Sequence, residues 1–491
     1  MRNVLLIASL SAAAVPSVMH GASKDQRPNI IYIMLDDMPY DMLPGGERYP
    51  FIDLPNLAQM QKEGVTFTNF FCVHSLSAPS RAANLTGTYP HVNGQTQNIS
   101  FLDPDWEKCP PFSRYMQSAG YNTAFIGKIH MASDPAHRGK GNIRPGFDYW
   151  VSFYGQGAYE NPLIVDNGEE IQTKGYMTDI LNRYALDWLS SGRNKNKPFA
   201  MCLWHKAVHQ PFTPAKRHAS LYQGETIGPP FYRTDLDDLS TKPIWQRIRR
   251  SKDENNPPLS CPPKEWKPRP GQWGMARSLS AVDDSLGDII ELLKKQGILD
   301  NTVIMFSSDN GFLMGEHQFG DKRIAYENSI RIPMVIRYPA AFGKGSKIDS
   351  YCLNIDVAPT ILSVAGIAVP SQMQGESMKT LLETGKDPSW RRSFFYEYFV
   401  DDGLKDRTAV DVTCVRTERY KYVANQFYFK KKKDIDELYD LQKDPGEMVN
   451  LISDPSYAGV LAELKKELET LKTKYKYNPD RYWRVNQLKE S

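Results

Sequence analysis

The residues with chemistry to offer come in short clusters along the chain: Asp36-Asp37, Lys128 with His130, His205 with His209, and Asp309-Asn310. Carboxylates and a side-chain amide supply oxygen ligands, which suit a hard cation such as calcium better than zinc. Lysine and histidine supply positive charge and protons that can be moved near neutral pH. Taken singly, none of these clusters decides anything. An Asp-Asp pair often serves as a turn or helix cap, a lone histidine is more often a packing residue than a catalyst, and a lysine is usually solvated surface.

Their position along the chain sets them apart. Asn29–Leu35 is a continuous apolar run of strand length that stops at Asp36-Asp37, and similar runs recur at 123–126, 199–204, 302–306 and 333–337. Apolar runs without alternation predict strands buried on both faces, as in a parallel sheet. Helical patterns lie between several of them, for example Leu286, Ile289, Ile290, Leu292 and Leu293 ahead of Lys294-Lys295. Strands alternating with helices predict an α/β sandwich. In such sheets functional groups gather outside the carboxyl ends of the strands, and each of the four clusters sits just past the end of a run. The spacing therefore predicts one site built from four strand ends.

The remaining composition bounds the problem. The chain has 491 residues, 41% hydrophobic and 24% charged, enough for one large domain and a smaller one. Sixty Lys and Arg against 57 Asp and Glu leave a surplus of three, which gives no bulk charge for binding nucleic acid or a membrane surface. Arg2, an apolar stretch over residues 4–18 and then His20-Gly21-Ala22 ahead of a polar segment read as a secretory signal peptide cleaved near residue 22, although His20 fits the small-residue cleavage rule poorly. That stretch is short for a membrane span of about 20 residues, and no later segment qualifies as one. Six cysteines, Cys72, Cys109, Cys202, Cys261, Cys352 and Cys414, show no close ligand pair and are expected for the most part as free buried thiols. The catalytic unit is expected over 23–374, with a long Pro-rich surface insertion at about 214–272. A smaller α+β subdomain is expected over 375–491, with short strands at 393–398, 411–416 and 420–423 and an amphipathic helix at 461–471.

The segment from Ser77 through Ala78-Pro79-Ser80-Arg81 to Leu85-Thr86-Gly87 resembles the maturation signature of the formylglycine-dependent sulfatases. In that family the first Cys or Ser of a C/S-x-P-S-R core is oxidised to an aldehyde. The resemblance covers nearly the whole chain from Arg27 and implies an alkaline-phosphatase-like fold with a large mixed sheet. It implies that Ser77 becomes formylglycine (3-oxoalanine), which as a hydrate offers one hydroxyl to attack sulfur and a second to expel sulfate. It assigns Asp36, Asp37, Asp309 and Asn310, with position 77, to one calcium ion, and Arg81 to holding the aldehyde hydrate. Lys128 and His130 match the family's G-K-x-H element, His209 its H-x-P element, and Lys322 its downstream lysine. By resemblance Lys128, His209 and Lys322 surround the sulfate ester, His130 takes the proton that triggers sulfate release, and His209 protonates the departing sugar oxygen. His205 and His317 are further candidates for touching sulfate or sugar, and Arg323 and Glu327 can equally serve structure.

Within the family the sequence looks most similar to N-acetylglucosamine-6-sulfatases of heparan sulfate and heparin breakdown, on Arg27-Pro28-Asn29, Gly87-Thr88-Tyr89-Pro90-His91, Ser308 to Gly311, Asp321-Lys322-Arg323, Glu397-Tyr398 and Cys414 to Thr417. A serine precursor resembles the bacterial enzymes matured by an oxygen-independent radical enzyme, which implies a bacterial, periplasmic or otherwise exported protein. The expected substrate is a sulfated glycosaminoglycan oligosaccharide or monosaccharide carrying glucosamine 6-sulfate. The alternatives are a 2-O-, 3-O- or 4-O-specific sulfatase, a phosphodiesterase of the same superfold, or a non-catalytic glycan-binding protein should Ser77 stay unmodified.

Overall fold

A computed structural model describes residues 27–99, 102–131, 144–228, 239–249, 268–400, 410–426, 428–429, 432–480 and 482–490. The stretch read as a signal peptide and Cys261 lie outside them. The first apolar run forms β1 (Asn29–Leu35). Its alternate side chains explain why it carries no polar face: Ile30, Tyr32 and Met34 enter one hydrophobic core, and Ile31, Ile33 and Leu35 enter another on the opposite side of the sheet.

Nine further strands complete the sheet: β2 (Val65–Phe67), β3 (Asn122–Gly127), β4 (Tyr149–Ser152), β5 (Leu163–Asp166), β6 (Glu169–Gln172), β7 (Phe199–Trp204), β8 (Thr302–Ser308), β9 (Met334–Arg337) and β10 (Ser346–Ile348). Their order is β10-β2-β9-β8-β1-β7-β3-β4-β5-β6. The centre, from β8 through β1, β7 and β3 to β4, is parallel. β9, expected as one more parallel strand, instead runs antiparallel to β8 and to β2. Burial on both faces fixes the apolar pattern of a strand and is blind to its direction, so the sequence could not separate the two.

Helices cover both faces. α1 (Pro55–Glu63), α3 (Met177–Asp187) and α4 (Pro270–Lys295) pack on the side of Ile31, while α2 (Ser77–Thr86) and α5 (Val357–Val364) pack on the side of Tyr32. In α4 the buried residues Leu279, Val282, Leu286, Ile289 and Leu293 recur at three- and four-residue spacing and make one apolar stripe. Beyond this sandwich, β11 (Ser393–Tyr398), β12 (Val412–Thr417), β13 (Tyr420–Asn425) and β14 (Glu437–Asp440) form a four-stranded antiparallel sheet. Leu464, Leu468 and Leu471 of α6 (Ala458–Lys474) join the same core as its strands. Cys72, Cys109, Cys202, Cys352 and Cys414 are buried free thiols, and no described helix is long and apolar enough to cross a membrane.

Part of the segment expected as a surface insertion is not at the surface. Leu239, Lys242, Trp245 and Gln246 are buried. The Lys242 ammonium donates to the Tyr439 hydroxyl at 3.1 Å and the Tyr326 hydroxyl at 3.3 Å, and the Gln246 amide donates to Glu437 at 2.9 Å. A polar, Pro-rich stretch reads as exposed, but here partners some 80 to 200 residues downstream satisfy its polar groups.

The antiparallel sheet is tied to the sandwich through His91. Its Nδ1 lies 2.7 Å from Glu397 Oε2, its Nε2 lies 3.0 Å from the Tyr475 carbonyl, and its backbone N–H donates to Glu397 Oε1 at 3.0 Å. Both ring nitrogens face acceptors, so both must donate and the ring is an imidazolium. Burial opposes that charge, but the Glu397 carboxylate outweighs it and raises the His91 pKa. A raised histidine pKa stabilises the fold fully below the unfolded value of about 6.5 and loses that contribution as pH rises through the folded value. Glu397→Gln, which strands the buried imidazolium, is expected to lower unfolding free energy by about 3 kcal/mol at pH 6. The gap to the unmutated protein narrows at higher pH, as thermal melts at several pH values would record. A gap independent of pH contradicts the charged pair.

Candidate active site

The parallel strands end level with one another. Leu35 lies opposite Ser308, and Trp204 lies opposite both Met34 and Gly127. The residues that follow, Asp36-Asp37, Lys128, His205 and Asp309-Asn310, therefore leave the sheet along one edge. Gly127 makes this possible for Lys128: its φ is +128°, and a Cβ there would lie 1.9 Å from the Trp204 carbonyl oxygen. That close approach lets the Lys128 N–H donate to the same carbonyl at 2.8 Å.

α2 brings Ser77 to this edge by its first residue, and all ten residues of the helix are buried. Pro79 falls in the first turn, where a missing N–H costs nothing. The Ala78 N–H donates to Asn98 Oδ1 at 3.0 Å and the Ser80 N–H to the Leu76 carbonyl at 2.9 Å. Gly87, in the left-handed region, closes the helix. The helix N-terminus carries partial positive charge, which favours an oxyanion on residue 77.

Three buried carboxylates meet three buried cations around that hydroxyl. Lys322 Nζ donates to Ser77 Oγ at 2.9 Å and also to Asp37 Oδ1, and Ser77 Oγ donates to Asp36 Oδ1 at 3.3 Å. Lys128 Nζ donates to Asp36 Oδ2. Arg81, one turn along α2, donates from Nε to Asp309 Oδ2 at 3.0 Å and from a terminal nitrogen to the Lys128 carbonyl at 2.6 Å. Burial opposes ionisation of Asp36, but Lys128, His209, Arg81 and Lys322 overcome it and hold its pKa well below the ordinary carboxylate range. Asp37 and Asp309 go the other way: burial raises both, and the Asp36 charge adds to it. Burial lowers Lys128 to about 8, whereas the carboxylates around Lys322 outweigh burial and raise it.

The donor set fits a hard cation. Asp37 Oδ2 and Asn310 Oδ1 are buried oxygens without a hydrogen-bond partner among the described residues, although Asn310 Nδ2 donates to Asp37 Oδ1 at 2.7 Å. Buried acceptors are rarely left unmet, and two oxygens with their lone pairs open beside Asp36 and Asp309 are what an oxygen-loving ion requires. Ligand atoms of Asp36, Asp37 and His209 also lie within 4.8 Å of one another. His209 Nδ1 faces the Gln210 carbonyl at 2.8 Å and so carries the ring proton, which leaves the Nε2 lone pair 3.7 Å from Asp37 Oδ2. The open oxygens are the better guide to the metal, because three carboxylates and an amide are hard donors and outnumber one softer imidazole nitrogen.

The six residues expected around the reacting group divide as follows. Ser77, Arg81, Lys128 and Lys322 interlock through Asp36, Asp37 and Asp309, His209 borders Asp37, and His130 joins through Gln156. The Gln156 Oε1 accepts from Lys128 Nζ at 2.5 Å, and its Nε2 lies 3.3 Å from His130 Nε2. Among the described residues no such bond brings in His205. His205 is fully buried, and burial alone lowers its pKa to about 3. His317 stacks on the Tyr326 ring at a centroid distance of 3.8 Å. Glu327 pairs with Lys421 and Arg416, which makes it structural, and Arg323 donates to Asp321. Sequence reasoning missed Gln156, as well as Lys206, whose ammonium sits 4.7 Å from the centre of the Tyr159 ring, and Tyr159, whose hydroxyl donates to the His209 carbonyl at 2.6 Å. A signal for Gln156 was present: Gly155-Gln156-Gly157 follows β4, a fifth parallel strand end, and both glycines have positive φ.

Comparison with known proteins bears on this geometry. Residues 28–367 match the profile of the sulfatase family, and residues 315–474 match that of the N-sulphoglucosamine sulphohydrolase C-terminal region. The chain is 34% identical to an N-acetylglucosamine-6-O-sulfatase of Bacteroides thetaiotaomicron, covering 97% of this chain and 92% of that one. It is 28% identical to the Homo sapiens N-acetylglucosamine-6-sulfatase over 89% and 84% of the two chains. A solved structure described as a complex with its substrate D-glucosamine-2-N,6-O-disulfate superposes with a TM-score of 0.78 at 31% identity, covering 93% of this chain and all of that one. The phosphonate monoester hydrolase of Silicibacter pomeroyi shares the fold, with a TM-score of 0.72 at 22% identity over 93% and 97% of the chains.

The cation reading has a thermal signature. Because Asp37 and Asp309 have raised folded pKa values, the stability they contribute without metal is full below the unfolded aspartate value of about 3.9 and is lost as pH rises through the folded values. Their ionised forms are also the ones that bind a cation. Calcium at a hundredfold excess over Kd is expected to add about 2.7 kcal/mol to stability near neutral pH, and less on acidification. Asp309→Asn is expected to weaken the effect. Melting curves that ignore calcium at every pH contradict the assignment.

Proposed function

The chain belongs to the sulfatase family, and from that premise we propose that it removes the 6-O-sulfate of N-acetylglucosamine or glucosamine in heparan sulfate or heparin fragments, as an exported bacterial enzyme. One observation carries the chemistry: the hydroxyl of residue 77 sits at a helix N-terminus, 2.9 Å from Lys322 Nζ and 3.3 Å from Asp36 Oδ1, inside a buried cluster of three cations and three carboxylates. The sugar assignment is supported by the near full-length relative named for the 6-O-sulfate of N-acetylglucosamine and by the solved structure holding a glucosamine 2-N,6-O-disulfate.

Oxidation of Ser77 by a radical maturing enzyme, which carries off two hydrogens, would give the formylglycine aldehyde, and addition of water its hydrate, with one hydroxyl to attack sulfur and a second whose deprotonation frees sulfate. Calcium held by Asp36, Asp37, Asp309 and Asn310 would neutralise sulfate oxygen charge and lower the pKa of the attacking group. The chain's own residues do the rest. The Lys128 and Lys322 ammonium groups hold the anionic end of the substrate against the α2 N-terminus, and the Arg81 guanidinium holds the hydrate on residue 77. His209 gives a proton from Nε2 to the departing sugar oxygen. Burial, with Lys128 adding to it, lowers its pKa to about 3 while the site holds no anion; a sulfate charge beside Nε2 favours the protonated ring and arms it as a donor. His130 takes the proton whose loss releases sulfate.

Turnover of a panel of defined sulfated saccharides by matured protein tests the reading. Loss of the 6-O-sulfate of glucosamine ahead of 2-O-, 3-O- and 4-O-sulfates is the expected result, and equal or faster hydrolysis of phosphodiesters overturns it. Intact mass at residue 77 should show the loss of two hydrogens, and Ser77→Ala should abolish turnover. His209→Ala is expected to slow sugar sulfates by about 10²- to 10⁴-fold and activated aryl sulfates far less. A uniform loss on both substrates assigns His209 to binding instead.

A further inference from the structure

Gln156 stands between Lys128 and His130, and its amide can face them in only one way. An ammonium has donors and no acceptor, and Lys128 already donates to Asp36. The oxygen of the Gln156 amide must therefore be the atom 2.5 Å from Lys128 Nζ, and the NH2 group the one 3.3 Å from His130 Nε2. An NH2 group cannot face a ring N–H, so His130 Nε2 carries the lone pair and Nδ1 carries the proton. Nδ1 is buried and has no hydrogen-bond partner among the described residues. The amide is itself held in place, because positive φ at Gly155 and Gly157 aims the loop, and a Cβ on Gly157 would lie 2.5 Å from the Phe153 ring.

We propose that Gln156 is a positioning residue that relays the orientation of Lys128 to His130, fixing the neutral Nδ1–H tautomer and capping the Nε2 lone pair until the release step delivers a proton there. In that step the second hydroxyl on residue 77 loses its proton to Nε2, its oxygen forms the aldehyde double bond, and the carbon–oxygen bond to sulfate breaks with its electrons leaving on sulfate. The imidazolium so formed has a donor at Nε2 and cannot keep its bond to the Gln156 NH2, so the amide yields during release and returns once the proton passes to water. The charged groups acting on the ring are Lys128, Arg81 and Lys322, which disfavour the imidazolium together with burial, and Asp36, which favours it; the balance keeps His130 well below the ordinary histidine range. The role in turnover rests on the sulfatase reading, whereas the tautomer does not.

Two measurements separate them. In the full chain labelled with 15N-histidine and free of substrate, long-range proton–nitrogen spectra at neutral pH should show His130 with a pyridine-type Nε2 and a pyrrole-type Nδ1, assigned by loss of the signals in His130→Gln. A protonated Nε2 overturns the proposal whatever the enzyme's activity. Gln156→Leu should give a mixture of tautomers and lower kcat about 10- to 100-fold with KM nearly unchanged. Gln156→Glu, which presents an acceptor to Nε2 and so favours the imidazolium, should move the acidic limb of the kcat profile to higher pH. A rise in KM with kcat intact in both variants assigns Gln156 to substrate contact and overturns the positioning role.

Discussion

Burying Asp36, Asp37 and Asp309 side by side is the constraint on which the rest of this molecule depends. An isolated carboxylate loses several kcal/mol on leaving water, and three together repel one another besides. They can be fully buried because Arg81, Lys128 and Lys322 arrive from three other parts of the chain, each with a donor on at least one of the carboxylates. The charges of the six groups cancel. What remains unmet among the described residues is geometric, in the two open oxygens of Asp37 and Asn310, a pair suited to a hard cation.

Much of the surrounding structure serves to deliver those three cations. Arg81 comes on a helix whose Ala78, Ala82 and Ala83 pack into the core and whose register puts it one turn from Ser77. Lys128 depends on the missing side chain of Gly127. Lys322 lies on an irregular segment with positive φ at His317, Gln318, Asp321 and Arg323, conformations that cost about 1 kcal/mol or more each in non-glycine residues. A segment so strained persists only if it is held at both ends. Upstream, Arg48 grips Glu316. Downstream, Lys421 of β13 donates to the Ala325 carbonyl at 2.8 Å and pairs with Glu327 at 2.8 Å and Glu447 at 2.6 Å. The antiparallel sheet thus supports the cluster around residue 77, although its described residues contribute no group to it, because it fixes the segment that carries Lys322.

Asp37 and His130 share this dependence, with φ of 67° and 60°. Each turns sharply just past a strand end. The tertiary network that supports them is therefore also what sets the direction of their lone pairs, and in His130 that direction is passed on by Gln156.

Several features were legible in the residues themselves. Apolar runs at 29–35, 199–204 and 302–306 pointed to doubly buried strands, since they show no alternating polar face, and the polar clusters after them followed from the rule that strand ends gather function. The segment from Ser77 to Gly87 carried the family resemblance because a nucleophile, an arginine one turn on and a helix-closing glycine are local features, set by near neighbours. Tertiary structure alone decided the rest. It set the antiparallel direction of β9, since burial does not record direction, and it buried Lys242 and Gln246 against partners far along the chain. It placed His209, which the sequence had already set apart by its H-x-P element, beside Asp37, whereas His205 is buried and His317 stacks on Tyr326. Gln156 belongs to the same class, for an uncharged amide announces nothing by its type, and its role arises from the two side chains the fold places on either side of it.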